Sequence, residues 1–427
     1  MMQINPLPQL HATLTVPGSK YIANRVLMLT ALAQGTSRIR NLPDNDDIRN
    51  FRKVLRQIGI PSEADREQLL IHGGKSRLLL AEETLHVGES GTLMRFATAL
   101  AALVPDTTTI SGSERIRQRP IRELTEALRE LGVECHSLNH GFPPVVVESD
   151  TLQGGRAHIP GHISSQYISA LLMIAPYAQS TVDIRITSEP VSQSYIDLTI
   201  DLMRKFGVSV ERPEAHRYRV QQNQHYRSID YSIPGDWSSA NYFLAAAAIL
   251  NGTVTVRNLD LDSKHGEAGF SDALARMGGH IRKDPARGTI SVEAPRQLNG
   301  IDIDMSSMPD AVPSLAAVAA FAHGRTHISN IGHLKYKESD RITAIQTEWQ
   351  KMGIQVESTS DSLLIHGGRP HGAKVDSHND HRLAMSLAIM GLKTGEMQID
   401  RPEAVNKSFP GFWQQWQQLG AEVHDVG

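Results

Sequence analysis

The chain has 427 residues, more than one hydrophobic core can serve, so two domains are expected. Its 43 basic and 46 acidic residues are mixed along the sequence and leave a formal charge of -3, which excludes an extended basic tract for nucleic acid and an acidic tail. The one cysteine, Cys135, excludes an internal disulfide framework and a cysteine-based zinc cluster, and is expected to be a half-buried, inert thiol.

From the N-terminus, Met1 to Val16 carries neither the basic start nor the long apolar run of a secretion signal. No later stretch reaches the ~20 apolar residues that span a bilayer, so a cytoplasmic location without a membrane partner is expected. A Pro17-Gly18 break then precedes the first of six segments built on one plan: a short polar start, a helix rich in Ala and Leu, a small break and a β-prone run. The six begin at Ser19, Ser90, Ser164, Ser238, Pro309 and Asn379, a period of about 72 residues that marks an internal repeat. In phase with them, an amphipathic helix ends at Gly59, Gly132, Gly207, Gly279, Gly353 and Gly420. Glycine suits that place because it enters the left-handed conformation without a steric penalty. Each repeat therefore reads as strand, helix, strand, helix, strand. The paired Pro17-Gly18 and Pro234-Gly235 breaks are expected to be hinge strands. They separate residues 18–234, with three repeats, from residues 1–17 plus 235–427, with the other three, and two similar domains meeting at a cleft invite closure on a ligand.

Function is expected at the helix starts. An α-helix begins with unpaired N–H groups and a partial positive charge, so several starts facing one cleft would bind a multiply anionic small molecule. The starts also carry suitable side chains: Lys20, Asn24 and Arg25; Thr92 and Arg95; Ser164, Ser165 and Gln166; Asp310; and Asp380 to Arg382. Further groups lie in the following connections: Arg119, Ser192, Tyr195, Lys337 to Arg341, and Lys407. Taken singly, each serine reads as a helix cap and the KESDR run as a solvated helix start. No GxxxxGK[ST], GxGxxG or HExxH motif occurs, and the nineteen histidines show no metal spacing. His381 reads as a helix-start hydrogen-bonding residue, and no metal or other cofactor is expected.

The stretches VPGSKYIANR, GESGTLMR, RQRPI, SSQYISALLM, VSQSYIDLT, MPDA, KYKESDR, NDHRLAM and NKSFPGF resemble the enolpyruvyl transferases, and among them the 5-enolpyruvylshikimate-3-phosphate synthases. The resemblance spans nearly the whole chain and all six repeats. It implies a two-domain inside-out α/β barrel, each domain three copies of a βαβαβ-type unit, with residues 18–234 on the shikimate-phosphate side. It also implies a cytoplasmic monomer that transfers an enolpyruvyl group in the shikimate pathway to chorismate and the aromatic amino acids, with no cofactor. Carried over, the phosphoenolpyruvate set is Lys20, Gly91, Arg119, Gln166, Arg341, Arg382 and Lys407. The shikimate-phosphate set is Arg25, Ser164, Ser165, Gln166, Ser192, Tyr195, Asp310 and Lys337. Lys20, Asp310 and Glu338 are implied as catalytic, with Asp310 deprotonating the acceptor hydroxyl while Glu338 and Lys20 move protons at phosphoenolpyruvate.

Three positions depart from the synthase pattern. Tyr21 stands where the family has serine, and Glu89 and His333 each stand for an asparagine; Ala23 and Phe96 are milder changes. A carboxylate 4 Å from a phosphate charge would cost roughly 4 kcal/mol at an effective dielectric of ~20. The alternatives are a specialised relative acting on another cyclic hydroxy acid by transfer or elimination, and a non-catalytic protein that closes on an anionic metabolite. A transferase acting on nucleotide sugars is disfavoured because Cys135 lies outside the matching loop, and nucleic-acid ends are disfavoured by the charge balance.

Overall fold

The Ala- and Leu-rich runs fold as helices with little or no polar face, so their stable place is the interior. A computed structural model of the chain describes residues 1–65, 67–149 and 151–426. In chain order its α-helices are α1 (Lys20–Leu32), α2 (Asp46–Gln57), α3 (Gly91–Ala101), α4 (Arg122–Glu130), α5 (Ser165–Ile174) and α6 (Gln193–Lys205). They continue with α7 (Trp237–Ile249), α8 (Phe270–Arg276), α9 (Val312–Ala319), α10 (Arg341–Lys351), α11 (His381–Thr394) and α12 (Phe412–Gln418). The odd-numbered helices are the buried ones; every residue of α1, α7 and α9 is buried, including Lys20, Asn24 and Arg25. The even-numbered helices bury one stripe, as α2 does with Asp47, Ile48, Phe51, Val54 and Leu55.

Each pair of helices belongs to a four-stranded sheet, and six such sheets occur among the described residues. In the third repeat Gly155–Ile159 pairs in parallel with Val182–Ile186 across α5. After α6 the chain forms the hairpin Glu211–Glu214 and Arg217–Val220, whose second strand pairs antiparallel with Val182–Arg185. The repeat therefore ends in two strands, where the sequence suggested one; the turn at Ala215-His216 is too short to read as a break, and His216 takes a left-handed φ of 62° there. Three sheets are completed by strands from outside their own repeat. Asp230–Ser232 opens the first sheet, Gln9–Thr15 opens the fourth, and Met2–Ile4 supplies the inner hairpin strand of the sixth.

The chain divides into two compact units, one of Gly18–Ile233 and one of Met1–Pro17 with Pro234–Gly427. Each has its own apolar core. In the second unit α7, α9 and α11 pack on one another; in the first, α3 packs against α1 and α5.

The details correct several sequence expectations. The fourth buried helix starts at Trp237 rather than Ser238, because the Asp236 carboxylate caps it by accepting the Ser239 N–H at 2.9 Å. Asp380, not Asn379, caps α11. A short 3-10 turn, Pro309–Ala311, precedes α9. Gly59, Gly132, Gly207, Gly353 and Gly420 have left-handed φ values of 81–93°, but in the fourth repeat that residue is Gly278, at 108°, and not Gly279. The helix there ends at Arg276 with Met277 as its cap, which puts Gly278 in the left-handed place. Cys135 is fully buried rather than half-buried, and burial pushes its thiol up to about 12, so it is inert.

These glycines differ in what surrounds them. A Cβ on Gly420 meets nothing within 4 Å, whereas on Gly59 it would lie 2.4 Å from the Arg77 carbonyl oxygen. Gly420→Ala is expected to cost roughly 1 kcal/mol from its φ alone, and Gly59→Ala roughly 2–4 kcal/mol. Urea midpoints of the two variants check the ranking.

Candidate active site

The sequence-selected residues fall into two sets, one in each unit. In the unit of Gly18–Ile233 the start of α3 is the centre. Ser90 caps it, accepting the Leu93 N–H at 3.3 Å. A Cβ on Gly91 would lie 2.3 Å from Arg95 Nη1 and 2.4 Å from Arg119 Nη1, so only glycine lets both guanidiniums crowd this end. Two buried cations beside the positive end of a helix repel it and each other, an arrangement that an anion relieves. Gln166, at the start of α5, donates through Nε2 to Thr92 Oγ1 at 3.1 Å and so ties α5 to α3. Its Oε1 is buried without a hydrogen-bond partner among the described residues. Ser164 caps α5 at the Gln166 N–H, as a lone serine is expected to do, and Ser165 is buried beside it.

The start of α1 lies in the same unit. Lys20 is buried, 3.6 Å from Asp47 Oδ2, with its ammonium 5.5 Å from the centre of the Tyr21 ring. Tyr21 packs on Tyr195 with ring centroids 5.0 Å apart. Arg25 beneath them is 1% exposed and already engaged: Nε donates to Thr199 Oγ1 at 2.6 Å, Nη1 to the Tyr21 carbonyl at 3.0 Å, and Nη2 to Ser169 Oγ at 3.4 Å and the Tyr195 carbonyl at 3.2 Å. Burial lowers its pKa to about 10, with the two tyrosines opposing. Ser192 is buried at the start of α6 with a left-handed φ of 56°. Glu89 directly precedes the Ser90 cap and is half-buried.

In the other unit one guanidinium gathers the set. Arg341, the first residue of α10, is 1% exposed and so not part of a solvated helix start. Its Nε and Nη2 donate to Asp380 at 2.7 and 3.2 Å, Nη1 to Asp310 at 2.7 Å, and Nη2 to Glu338 at 2.9 Å. Burial opposes its charge, yet the carboxylates of Asp380, Asp310 and Glu338 together hold its pKa well above the ordinary arginine value. Lys407 Nζ donates to the other Glu338 oxygen at 2.8 Å, and Lys337 Nζ lies 3.5 Å from Asp310. Arg382 donates to the Tyr242 hydroxyl at 2.9 Å and lies 3.8 Å from Asp310. Burial pushes that phenol up to about 12, so it stays neutral. Four cations thus lie among these three carboxylates, and the buried carboxylate of Glu267 accepts the Asp310 N–H at 3.1 Å beside them.

His333 belongs to this set. It is 8% exposed, and its Nε2 has no hydrogen-bond partner among the described residues. Burial and the Lys337 cation hold its pKa down to about 3, with Asp310 opposing and Arg341 adding, so the imidazole is neutral. Asp47, Tyr242 and the capping role of Asp380 were not singled out from the sequence. Asp380 was visible as an acid just before an apolar run, but nothing local marks the other two. Among the described residues no helix is long and apolar enough to cross a membrane, and no group of His, Cys, Asp and Glu is placed to hold a metal ion.

His333 also gives a pH test. Below about pH 6.5 the unfolded chain protonates this imidazole, while the folded chain does so only near pH 3, so stability is lost as the pH falls through that window. His333→Asn removes the loss. At pH 4.5, relative to pH 7, the variant is expected to be spared roughly 2–3 kcal/mol of destabilisation, read from urea midpoints at the two pH values.

Comparison with known proteins agrees with this picture. The family model described as EPSP synthase (3-phosphoshikimate 1-carboxyvinyltransferase) matches residues 4–416. A 3-phosphoshikimate 1-carboxyvinyltransferase of Methanoculleus marisnigri is 41% identical over 418 residues, 97% of this chain and 98% of its own. One from Shewanella piezotolerans is 38% identical and covers 98% of this chain and 99% of its own. A solved structure of EPSP synthase from Acinetobacter baumannii superposes with a TM-score of 0.84 at 27% identity, covering 99% of each chain. The inside-out α/β fold that the family resemblance implied is the fold of this chain.

Proposed function

The chain belongs to the EPSP synthase (3-phosphoshikimate 1-carboxyvinyltransferase) family, and from that membership we propose that it transfers the enolpyruvyl group of phosphoenolpyruvate to the 5-hydroxyl of shikimate 3-phosphate and releases phosphate. The observation that carries this reading is the sharing of Arg341 by Asp310, Glu338 and Asp380. Two carboxylates suited to proton transfer thus stand among cations suited to an anionic substrate. The acceptor oxygen bonds to C2 of phosphoenolpyruvate while C3 gains a proton. Loss of phosphate from C2 and of a proton from C3 then restores the double bond. Asp310 takes the hydroxyl proton, and Glu338 and Lys20 move the proton at C3. Arg341, Arg382 and Lys407, with Gly91, Arg119 and Gln166, are the residues that the family pattern gives to the phosphate and carboxylate of phosphoenolpyruvate, with preorganised charges replacing water. Ser164, Ser165, Ser192, Tyr195 and Lys337 serve the acceptor.

A specific observation favours a second reading, in which the acceptor differs from shikimate 3-phosphate. Arg25 donates to four protein oxygens, which leaves a guanidinium of five N–H groups little to offer an acceptor carboxylate. Tyr21 adds a buried ring beside it.

Phosphate release from phosphoenolpyruvate plus shikimate 3-phosphate separates the readings. Turnover is expected, with Lys20→Ala and Arg119→Ala each lowering kcat/KM by roughly 100-fold or more; Arg119→Ala leaves the melting temperature nearly unchanged, while Lys20→Ala lowers it because Asp47 loses its buried partner. Well-folded protein that does not turn over would favour the second reading. Tyr21→Ser is expected to lower the KM for shikimate 3-phosphate if the ring crowds the acceptor; an unchanged KM would show that it does not.

A further inference from the structure

Glu348 has no part in the chemistry above, yet it is a fully buried carboxylate on the helix that Arg341 begins. A buried charge is costly unless its partners are well placed, so its place needs a reason. Arg341 and Glu348 are seven residues apart on α10, two turns along one face, and both reach the same segment of chain, Asp376 to Asp380. Arg341 holds Asp380 through Nε at 2.7 Å. Glu348 accepts the Asp376 N–H at 3.0 Å and His378 Nε2–H at 2.9 Å, and its charge is met by Lys351 Nζ at 2.8 Å.

Between these anchor points the backbone is strained. His378 and Asn379 both have φ of 53°, two successive side-chain-bearing residues in the left-handed region. Such a conformation persists only when its surroundings over-determine it. The ties are Glu348 at the His378 ring, the His378 N–H donating to Asp376 Oδ1 at 2.6 Å, and the Asp380 N–H donating to the Ser377 carbonyl at 2.9 Å. Asp376 is fixed in turn by an ion pair with Arg401. The turn delivers Asp380, which caps α11 at the Arg382 N–H at 2.9 Å and holds Arg341.

We propose that Glu348 and His378 are positioning residues: they clamp the strained His378-Asn379 turn so that Asp380 sets Arg341 and Arg382 in place to bind the anionic donor substrate. This rests on the reading of Arg341 and Arg382 as phosphoenolpyruvate ligands. Neither positioning residue touches substrate.

Glu348→Gln keeps the shape and one acceptor but loses the charge that holds the His378 ring. It is expected to raise the KM for phosphoenolpyruvate at least tenfold, with the KM for shikimate 3-phosphate within twofold. Adding Asn379→Gly, which enters the left-handed region without strain, is expected to bring the phosphoenolpyruvate KM back by at least threefold. An unchanged KM in Glu348→Gln, an equal rise in both KM values with a matching fall in melting temperature, or no recovery with the glycine would overturn the proposal. If the wild-type chain does not turn over, the functional reading fails separately, and hydrogen exchange decides the inference. Exchange at the Arg382 amide is then expected to quicken at least tenfold in Glu348→Gln, and equal protection in the two proteins would refute the clamp.

Discussion

One guanidinium holds half of the candidate site together. Arg341 is removed from water, which by itself disfavours its charge, and it is kept charged by three carboxylates from three places in the chain. Asp310 comes from the turn before α9, Glu338 from the connection before α10, and Asp380 from the cap of α11. The interaction is therefore as much architectural as electrostatic, since it fixes three helix starts in one arrangement. Removing the arginine would leave three crowded carboxylates with fewer counter-charges, a change far costlier than loss of an exposed ion pair. The same crowding keeps Asp310 and Glu338 in defined positions without ligand, which is what preorganised catalysis requires.

The two units use one repeated fold for different electrostatic ends. In the unit of Gly18–Ile233 the caps of α3 and α5 are serines, neutral groups that satisfy backbone N–H donors without adding charge of their own. Arg95 and Arg119 then gather where Gly91 leaves room. In the other unit the caps of α7 and α11 are aspartates. Asp380 neutralises its helix end and also draws in Arg341. A change of capping residue from Ser to Asp thus accompanies the difference between two arginines gathered at a helix start and a network of alternating charge on the same scaffold.

The fold was legible because its signal is repeated. A single helix with an uncertain start is ambiguous, but six in register reveal the unit; the differences at Asp236, Gly278 and Asp380 shift an element's end by one residue, and the second closing strand, Glu211–Glu214 in the third repeat, adds to the unit without changing it. What could not be read is non-local pairing. Nothing in Met2–Ile4 announces that it completes a sheet with Met397–Ile399 and Val423–Asp425, nor that Asp230–Ser232 opens the first sheet. The site shows the same division. The basic and acidic residues at helix starts could be picked out, whereas KESDR looks like any solvated charge run, because Arg341 finds Asp310 and Asp380 31 and 39 residues away. Burial is a property of those distant partners, not of the run itself.

The departures from the family pattern also make physical sense once placed. The burial of His333 beside Lys337 and Arg341 keeps it neutral. A neutral imidazole offers one donor and one acceptor, so, like an amide, it adds no charge to that cluster. Tyr21 changes shape rather than charge: its ring covers Tyr195, and its carbonyl takes a hydrogen bond from Arg25. Only Glu89 alters formal charge, and it does so one residue before the Ser90 cap. A carboxylate just before a helix start is favoured by the helix dipole even where it would oppose a bound phosphate. Two of the three side chains thus add no formal charge, and the third falls where the backbone itself supplies positive potential.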